Sequence, residues 1–129
     1  MRIVYVEDND ANLTLVRKVL EATGEMTVVG LSSAEEGLRE IKRERPDVLL
    51  LDLDLPGMSG LELAAALREL PELETLPIVA ISASVMKDER ARARAAGCDT
   101  FVEKPFDIQR LREVVRAAAQ GTLPESTSA

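Results

Sequence analysis

Apolar residues recur along the chain in two alternating rhythms. The short runs "RIVYV" (2–6), "MTVVG" (26–30), "DVLLL" (47–51), "PIVAI" (77–81) and "TFVE" (100–103) read as strands. Three of them are almost continuously aliphatic and β-branched, as parallel strands covered on both faces must be. Between them the apolar spacing becomes helical. Leu13, Val16 and Leu20 repeat at i, i+3, i+7, and Ala34, Leu38 and Ile41 at i, i+4, i+7. Leu63, Ala64 and Leu67 mark a third helix, which "LPELETLP" ends. Ile108, Leu111 and Val115 mark the last, with Asp107 as its expected N-cap. Five β/α units with short, right-handed crossovers predict an α/β fold. Its expected form is a five-stranded, doubly wound parallel sheet of the flavodoxin-like order 2-1-3-4-5.

The helical stretch "KDERARARAAG" (87–97) is different, because its only apolar residues are alanines. Alanine buries little area, so this helix is expected to be weakly anchored. Gly97 fits its C-cap. The pattern leaves open whether it is a plain solvated helix or a mobile functional one. After Gly121 the chain reads "TLPESTSA", which has little to bury. The expected division is one domain over 1–120 and a disordered tail over 121–129.

Ligands of open α/β sheets sit at the carboxyl ends of the strands, beside the switch in strand order. The polar residues at those ends are Glu7-Asp8, Asp52, Ser82-Ala83-Ser84 and Lys104-Pro105. Each has an ordinary explanation alone. Glu7 and Asp8, with Asn9 and Asp10, can cap the first helix; Ser82 can be a strand-end hydroxyl, and Lys104 a surface lysine. Together they are harder to explain that way. Clustered carboxylates repel, and a hard divalent cation removes that cost. A lysine and a hydroxyl nearby would hold the remaining oxygens of a phosphoryl group.

Composition narrows the chemistry. The chain of 129 residues carries 16 basic and 23 acidic residues, a net charge of −7, which disfavours nonspecific contact with nucleic acid or anionic membrane. Aromatic residues make up 2%, leaving few rings for a flavin or bases to stack on. There is no histidine, which excludes a Ser-His-Asp triad, histidine metal ligands and a phosphohistidine donor role. The one cysteine, Cys98, is expected to be a small core residue. "IVYV" is broken at once by Glu7 and Asp8, and no apolar run approaches the ~20 residues needed to span a bilayer. A soluble, cytoplasmic protein is expected.

"VEDN", "LLLDLDLPGMSG", "PIVAISAS" and "FVEKPF" occur in this order, and with them the chain resembles the receiver domain of bacterial response regulators, the CheY-like family, over residues 1 to about 120. The resemblance implies that Asp52, four residues before Pro56, accepts a phosphoryl group from a histidine kinase or histidine phosphotransfer protein. It makes Asp8, Asp52 and the Asp54 backbone carbonyl ligands of Mg²⁺ (or Mn²⁺), with Glu7 acting through a bound water. Lys104, Ser82 and Ala83 would surround the phosphoryl group. Ser82 and Phe101 would be the switch pair, Phe101 in place of the commoner tyrosine. Asp54 and Ser84 would tune dephosphorylation, and Pro105 would follow a cis peptide bond. A surface of helix 87–97, strand 100–103 and helix 107–119 would then meet a downstream protein.

Two alternatives stand beside this. "DLDLP" satisfies the D-x-D of haloacid-dehalogenase-type phosphatases, but Pro56 stands where their motif has Thr or Val, and no acids follow Lys104 in the expected pattern. A docking module that never uses its phosphorylation site is the other.

Overall fold

The computed structural model describes residues 1–55, 59–83, 87–104 and 107–123. Strands β1 (Arg2–Val6), β2 (Thr27–Leu31), β3 (Val48–Asp52), β4 (Ile78–Ser82) and β5 (Thr100–Glu103) alternate with helices α1 (Asp10–Glu21), α2 (Ala34–Arg43), α3 (Gly60–Arg68), α4 (Lys87–Ala95) and α5 (Ile108–Gln120). A single 3₁₀ turn, Pro71–Leu73, follows α3 within "LPELETLP". The sheet is parallel throughout, in the predicted order β2-β1-β3-β4-β5.

Strand periodicity divides the core in two. Val4, Val6, Leu49, Leu51, Ile78 and Ala80 face one layer, with Ile41 of α2 and Leu63 and Leu67 of α3. Ile3, Tyr5, Val48, Leu50, Val79 and Ile81 face the other, with Val16 and Leu20 of α1 and Leu111 and Val115 of α5. The near-continuous aliphatic strands are thus covered on both sides, and β3 and β4 are buried along their whole length. The fourth helix contributes little: among its described side chains Ala93 is the buried one.

The strands β2, β3 and β4 each run one residue further along the chain than their apolar runs. For β3 the shift has a clear cause. The Asp47 side chain accepts from the Arg2 backbone N–H at 2.7 Å, so Asp47 closes the entry to the strand. At the other end Asp52 is paired with Ile81, inside the ladder. Helix ends follow their caps. Asn9, Ser33, Ser59 and Asp107 each accept a backbone N–H three residues on. Gly121 adopts φ 70° and, with Thr122 donating to the Ala117 carbonyl, closes α5 in a Schellman turn. Leu123 packs on the α1/α5 layer, so the first three residues of the expected tail are ordered; 124–129 lie outside the described residues. No helix among the described residues is long and apolar enough to cross a membrane.

Gly60, the first residue of α3, lies against the end of β3. A Cβ there would stand 2.7 Å from the Asp52 carbonyl oxygen and 3.1 Å from the Leu53 Cα. Backbone cannot yield as a side-chain tip can. Gly60→Ala is therefore expected to lower stability by about 1–3 kcal/mol despite the better helix propensity of alanine, read as a lower urea midpoint at unchanged m. An unchanged midpoint would mean that α3 moves off Asp52 without cost.

Candidate functional site

The ends of β1, β3, β4 and β5 deliver the polar groups to one edge of the sheet. Val6 is the last residue of β1, but the Glu7 N–H still donates to the Leu31 carbonyl at 2.9 Å, so the strand's direction carries on into the acidic pair. Glu7 points inward and is 1% exposed, whereas Asp8 is exposed. The cap of α1 falls to Asn9, whose side chain accepts from the Asn12 N–H. Glu7 supports that cap, its Oε2 accepting from the Asn9 N–H at 3.4 Å, while its Oε1 faces the cluster.

Asp52 is also 1% exposed. Its Oδ2 accepts from Lys104 Nζ at 3.1 Å, and its Oδ1 accepts from the Asp54 N–H at 2.8 Å. Lys104 is placed by its own backbone, whose N–H donates to the Ser82 carbonyl at 2.9 Å as β5 ends. The same ammonium lies 3.6 Å from Glu7 Oε1. One carboxylate oxygen from each of Glu7, Asp8 and Asp52 lies within 4.8 Å of the others. Two buried donors and one exposed donor make an oxygen-only cluster open to solvent on one side. That donor set suits a hard divalent cation that keeps part of its water shell.

Proton affinities show the strain of this arrangement. The Glu7 carboxyl is raised to about 7, first by burial and then by its hydrogen bond with Asp52 and the Asp52 charge, with Asn12 and Lys104 pulling the other way. Burial works in the same direction on Asp52, but the hydrogen bonds from Glu7, the Asp54 N–H and Lys104 outweigh it and hold this carboxyl below its ordinary range. Below about pH 7 the pair thus carries a proton on Glu7 and leaves Asp52 ionised. Lys104 is raised: burial opposes its charge, and the hydrogen bond to Asp52 overcomes burial.

Asp54, which is exposed, turns away from Asp52. Its Oδ1 accepts from Ser82 Oγ at 3.4 Å and its Oδ2 from the Ala83 N–H at 3.3 Å. Phe101 is not at the cluster. It lies one strand over, buried in the α2/α3 layer with Ala93 and Cys98, and the Arg90 guanidinium stands 5.9 Å from its ring centroid. Cys98 is buried, and burial pushes its thiol up to about 12, as for an inert core residue. Ser84 and Pro105 lie outside the described residues.

Two supporting residues escaped the sequence analysis. The Tyr5 hydroxyl, fully buried, donates to Glu7 Oε1 at 3.3 Å, and Asn12 Nδ2 donates to the same oxygen at 3.0 Å. Burial, followed by the Glu7 and Asp52 charges, drives the Tyr5 phenol well above its ordinary range, so it stays a donor. The signal for Tyr5 was its place two residues before Glu7 on one strand, which puts both on one face. Asn12 had no comparable signal.

Residues 3–116 match the response regulator receiver domain family. The polar-differentiation response regulator DivK of Brucella anthropi is 35% identical over 115 residues, 89% of this chain and 93% of that protein. Among solved structures, a CheY-like response regulator receiver domain protein from Methanospirillum hungatei superposes with a TM-score of 0.85 at 26% identity, covering 94% of each chain. The receiver domain of the sensor histidine kinase PA1611 from Pseudomonas aeruginosa gives 0.85 at 26% identity, covering 92% of this chain and 97% of its own. That structure is described with a magnesium ion coordinated in its active site cleft.

The Glu7 proton has a thermodynamic consequence. A carboxyl raised to about 7 from an ordinary 4.5 is protonated in the folded state and ionised in the unfolded state between those values. Its contribution to stability is complete below about 4.5 and is lost as pH rises through 7. In chelator, the wild type is expected to lose roughly 2–3 kcal/mol across this window relative to Glu7→Gln, measured by urea unfolding at several pH values. A saturating divalent cation should oppose the loss, since it takes the place of the proton. Parallel pH profiles for the two proteins would show that Glu7 ionises freely.

Proposed function

The chain belongs to the response regulator receiver-domain family, and from that premise we propose that Asp52 takes a phosphoryl group from phosphohistidine on a partner protein. As a receiver, it is a phosphoacceptor signalling module with an acidic Mg²⁺-binding pocket of Glu7, Asp8 and Asp52 rather than a true enzyme. The family implies a histidine kinase as its partner, directly or through a histidine phosphotransfer protein.

The observation that carries the proposal is the state of Asp52. It is ionised and buried, and two donors fix its orientation. A nucleophile needs a free lone pair and a defined direction, and Asp52 has both. One carboxylate oxygen attacks phosphorus in line. The new P–O bond forms as the P–N bond breaks, and the imidazole leaves. The Lys104 ammonium, already beside Asp52, pairs with a phosphoryl oxygen. The Ser82 hydroxyl and the Ala83 N–H donate to the others. Asp8, Asp52 and the Asp54 carbonyl would hold Mg²⁺, with Glu7 acting through a bound water, and the ion would supply positive charge to offset that of the phosphoryl oxygens. Asp54 does not serve as the general acid of a D-x-D phosphatase in this reading, which its engagement with Ser82 and Ala83 supports.

Phosphorylation adds charge and acceptor oxygens beside Ser82, and Ser82 is paired with Glu103 across the β4–β5 ladder. The readout surface is the face of α4, β5 and α5, which binds a downstream protein. Anchorage supports this choice. Helix α4 buries Ala93, while α5 buries Leu111, Val114, Val115 and Ala118. A helix so lightly held shifts at little cost.

Acetyl phosphate with Mg²⁺ is expected to add one phosphoryl group to the wild type and none to Asp52→Asn, read by intact mass. Lys104→Ala should slow the reaction by about 100-fold, the scale for losing one donor to a developing charge. Donor hydrolysis without an adduct would point to a turnover enzyme, and neither adduct nor hydrolysis to a docking module. Hydrogen exchange should find α4 less protected than β3 and β4. Equal protection would rule out the mobile-helix readout.

A further inference from the structure

Ser82 Oγ and the Ala83 N–H are the donors assigned above to phosphoryl oxygens, and both point at the carboxylate of Asp54. The two bonds are long, at 3.4 and 3.3 Å, and use one carboxylate oxygen each. Asp54 is tethered for this contact, because its own N–H donates to Asp52 Oδ1 at 2.8 Å. The nucleophile's neighbour thus presents an anion to the donors that an incoming anion needs.

We propose that Asp54 is a resident ligand of the phosphoryl-binding donors, holding Ser82 and Ala83 until a phosphoryl group on Asp52 displaces it. This rests on the receiver reading and deepens it. Displacement is cheap on the Asp54 side: its side chain is exposed and swings into water, and the phosphoryl charge repels it. The cost falls on the donors, which exchange one anionic acceptor for another. Asp54 thereby acts as a positioning residue. It holds the Ser82 hydroxyl on an anion before phosphotransfer, while Phe101, on the neighbouring strand, is buried, 9% exposed. Phosphorylation then replaces the two long contacts to Asp54 with contacts to the phosphoryl oxygens.

The test uses the full chain with Mg²⁺ and beryllofluoride, a phosphoryl analogue that binds an aspartate carboxylate. Asp54→Ala is expected to tighten beryllofluoride binding by roughly threefold to tenfold, the competition expected from modest hydrogen bonds. Removing a negative charge also favours an anion, so the same substitution is made in Ser82→Ala. A resident ligand predicts a smaller gain there, whereas a pure charge effect predicts the same gain in both backgrounds and would overturn the proposal. Independently, the Ala83 amide proton should move upfield in Asp54→Ala without any analogue, as it loses a carboxylate acceptor. Asp54→Asn, closest in shape, should give an intermediate shift. An unmoved Ala83 resonance with normal beryllofluoride binding would sink the proposal and leave the receiver reading intact. Absence of beryllofluoride binding to wild type and variants alike would take the receiver reading down, and this proposal with it.

Discussion

Two carboxyl groups, Glu7 and Asp52, are each about 1% exposed at the ends of adjacent strands. Two negative charges cannot both persist there without a counter-charge, because burial and mutual repulsion work together against ionisation. Everything else at the sheet edge answers that constraint. Glu7 holds its proton up to about pH 7, and Tyr5 and Asn12 donate to its Oε1. Lys104 crosses from the end of β5 to reach both groups. Asp8 stays in solvent, where it can complete an oxygen donor set without adding a third buried charge. The result is a site one positive charge short of comfort, and a divalent cation supplies the deficit at the place where a phosphoryl group must be bound.

The same constraint explains why the site needs this sheet. Parallel strands end together, so four side chains from distant parts of the sequence arrive at one edge. The order β2-β1-β3-β4-β5 sets Asp52 on the central strand between Glu7-Asp8 and Ser82, with Lys104 next along. Asp52 lies inside the β3 ladder, paired with Ile81. Gly60 lets the first turn of α3 press against its carbonyl. Asp52 is therefore held by backbone on two sides.

The strand order, the two-layer core and the convergence of Glu7, Asp8, Asp52, Ser82 and Lys104 were legible in the sequence, because each follows from strand periodicity and the crossover rule. A run such as "DVLLL" declares a buried strand whatever lies beside it. Strand limits were less legible: "DVLLL" begins at Asp47, whose side chain binds the Arg2 N–H instead of joining β3. The tail likewise seemed to start at Gly121, but a left-handed glycine and Thr122 finish α5 there. Tyr5 was legible only through its place two residues before Glu7 on one strand face, and Asn12 and the contacts of Asp54 were not legible, because they depend on where individual side chains end, which no periodicity encodes.

Rigidity is unevenly distributed around the site, and the distribution has a direction. Glu7, Asp52 and their supports are tied to β1, β3 and α1, all anchored by large aliphatic side chains. Ser82 and Phe101 lie on β4 and β5, and the helix connecting these strands buries little beyond Ala93. Arg90 on that helix lies over the Phe101 ring. A change of charge at Asp52 therefore meets a stiff wall on one side and a loosely packed one on the other. The strands that carry the acidic cluster and the helix beside Phe101 are thus packed by different kinds of residue, large aliphatics in the one and an alanine in the other.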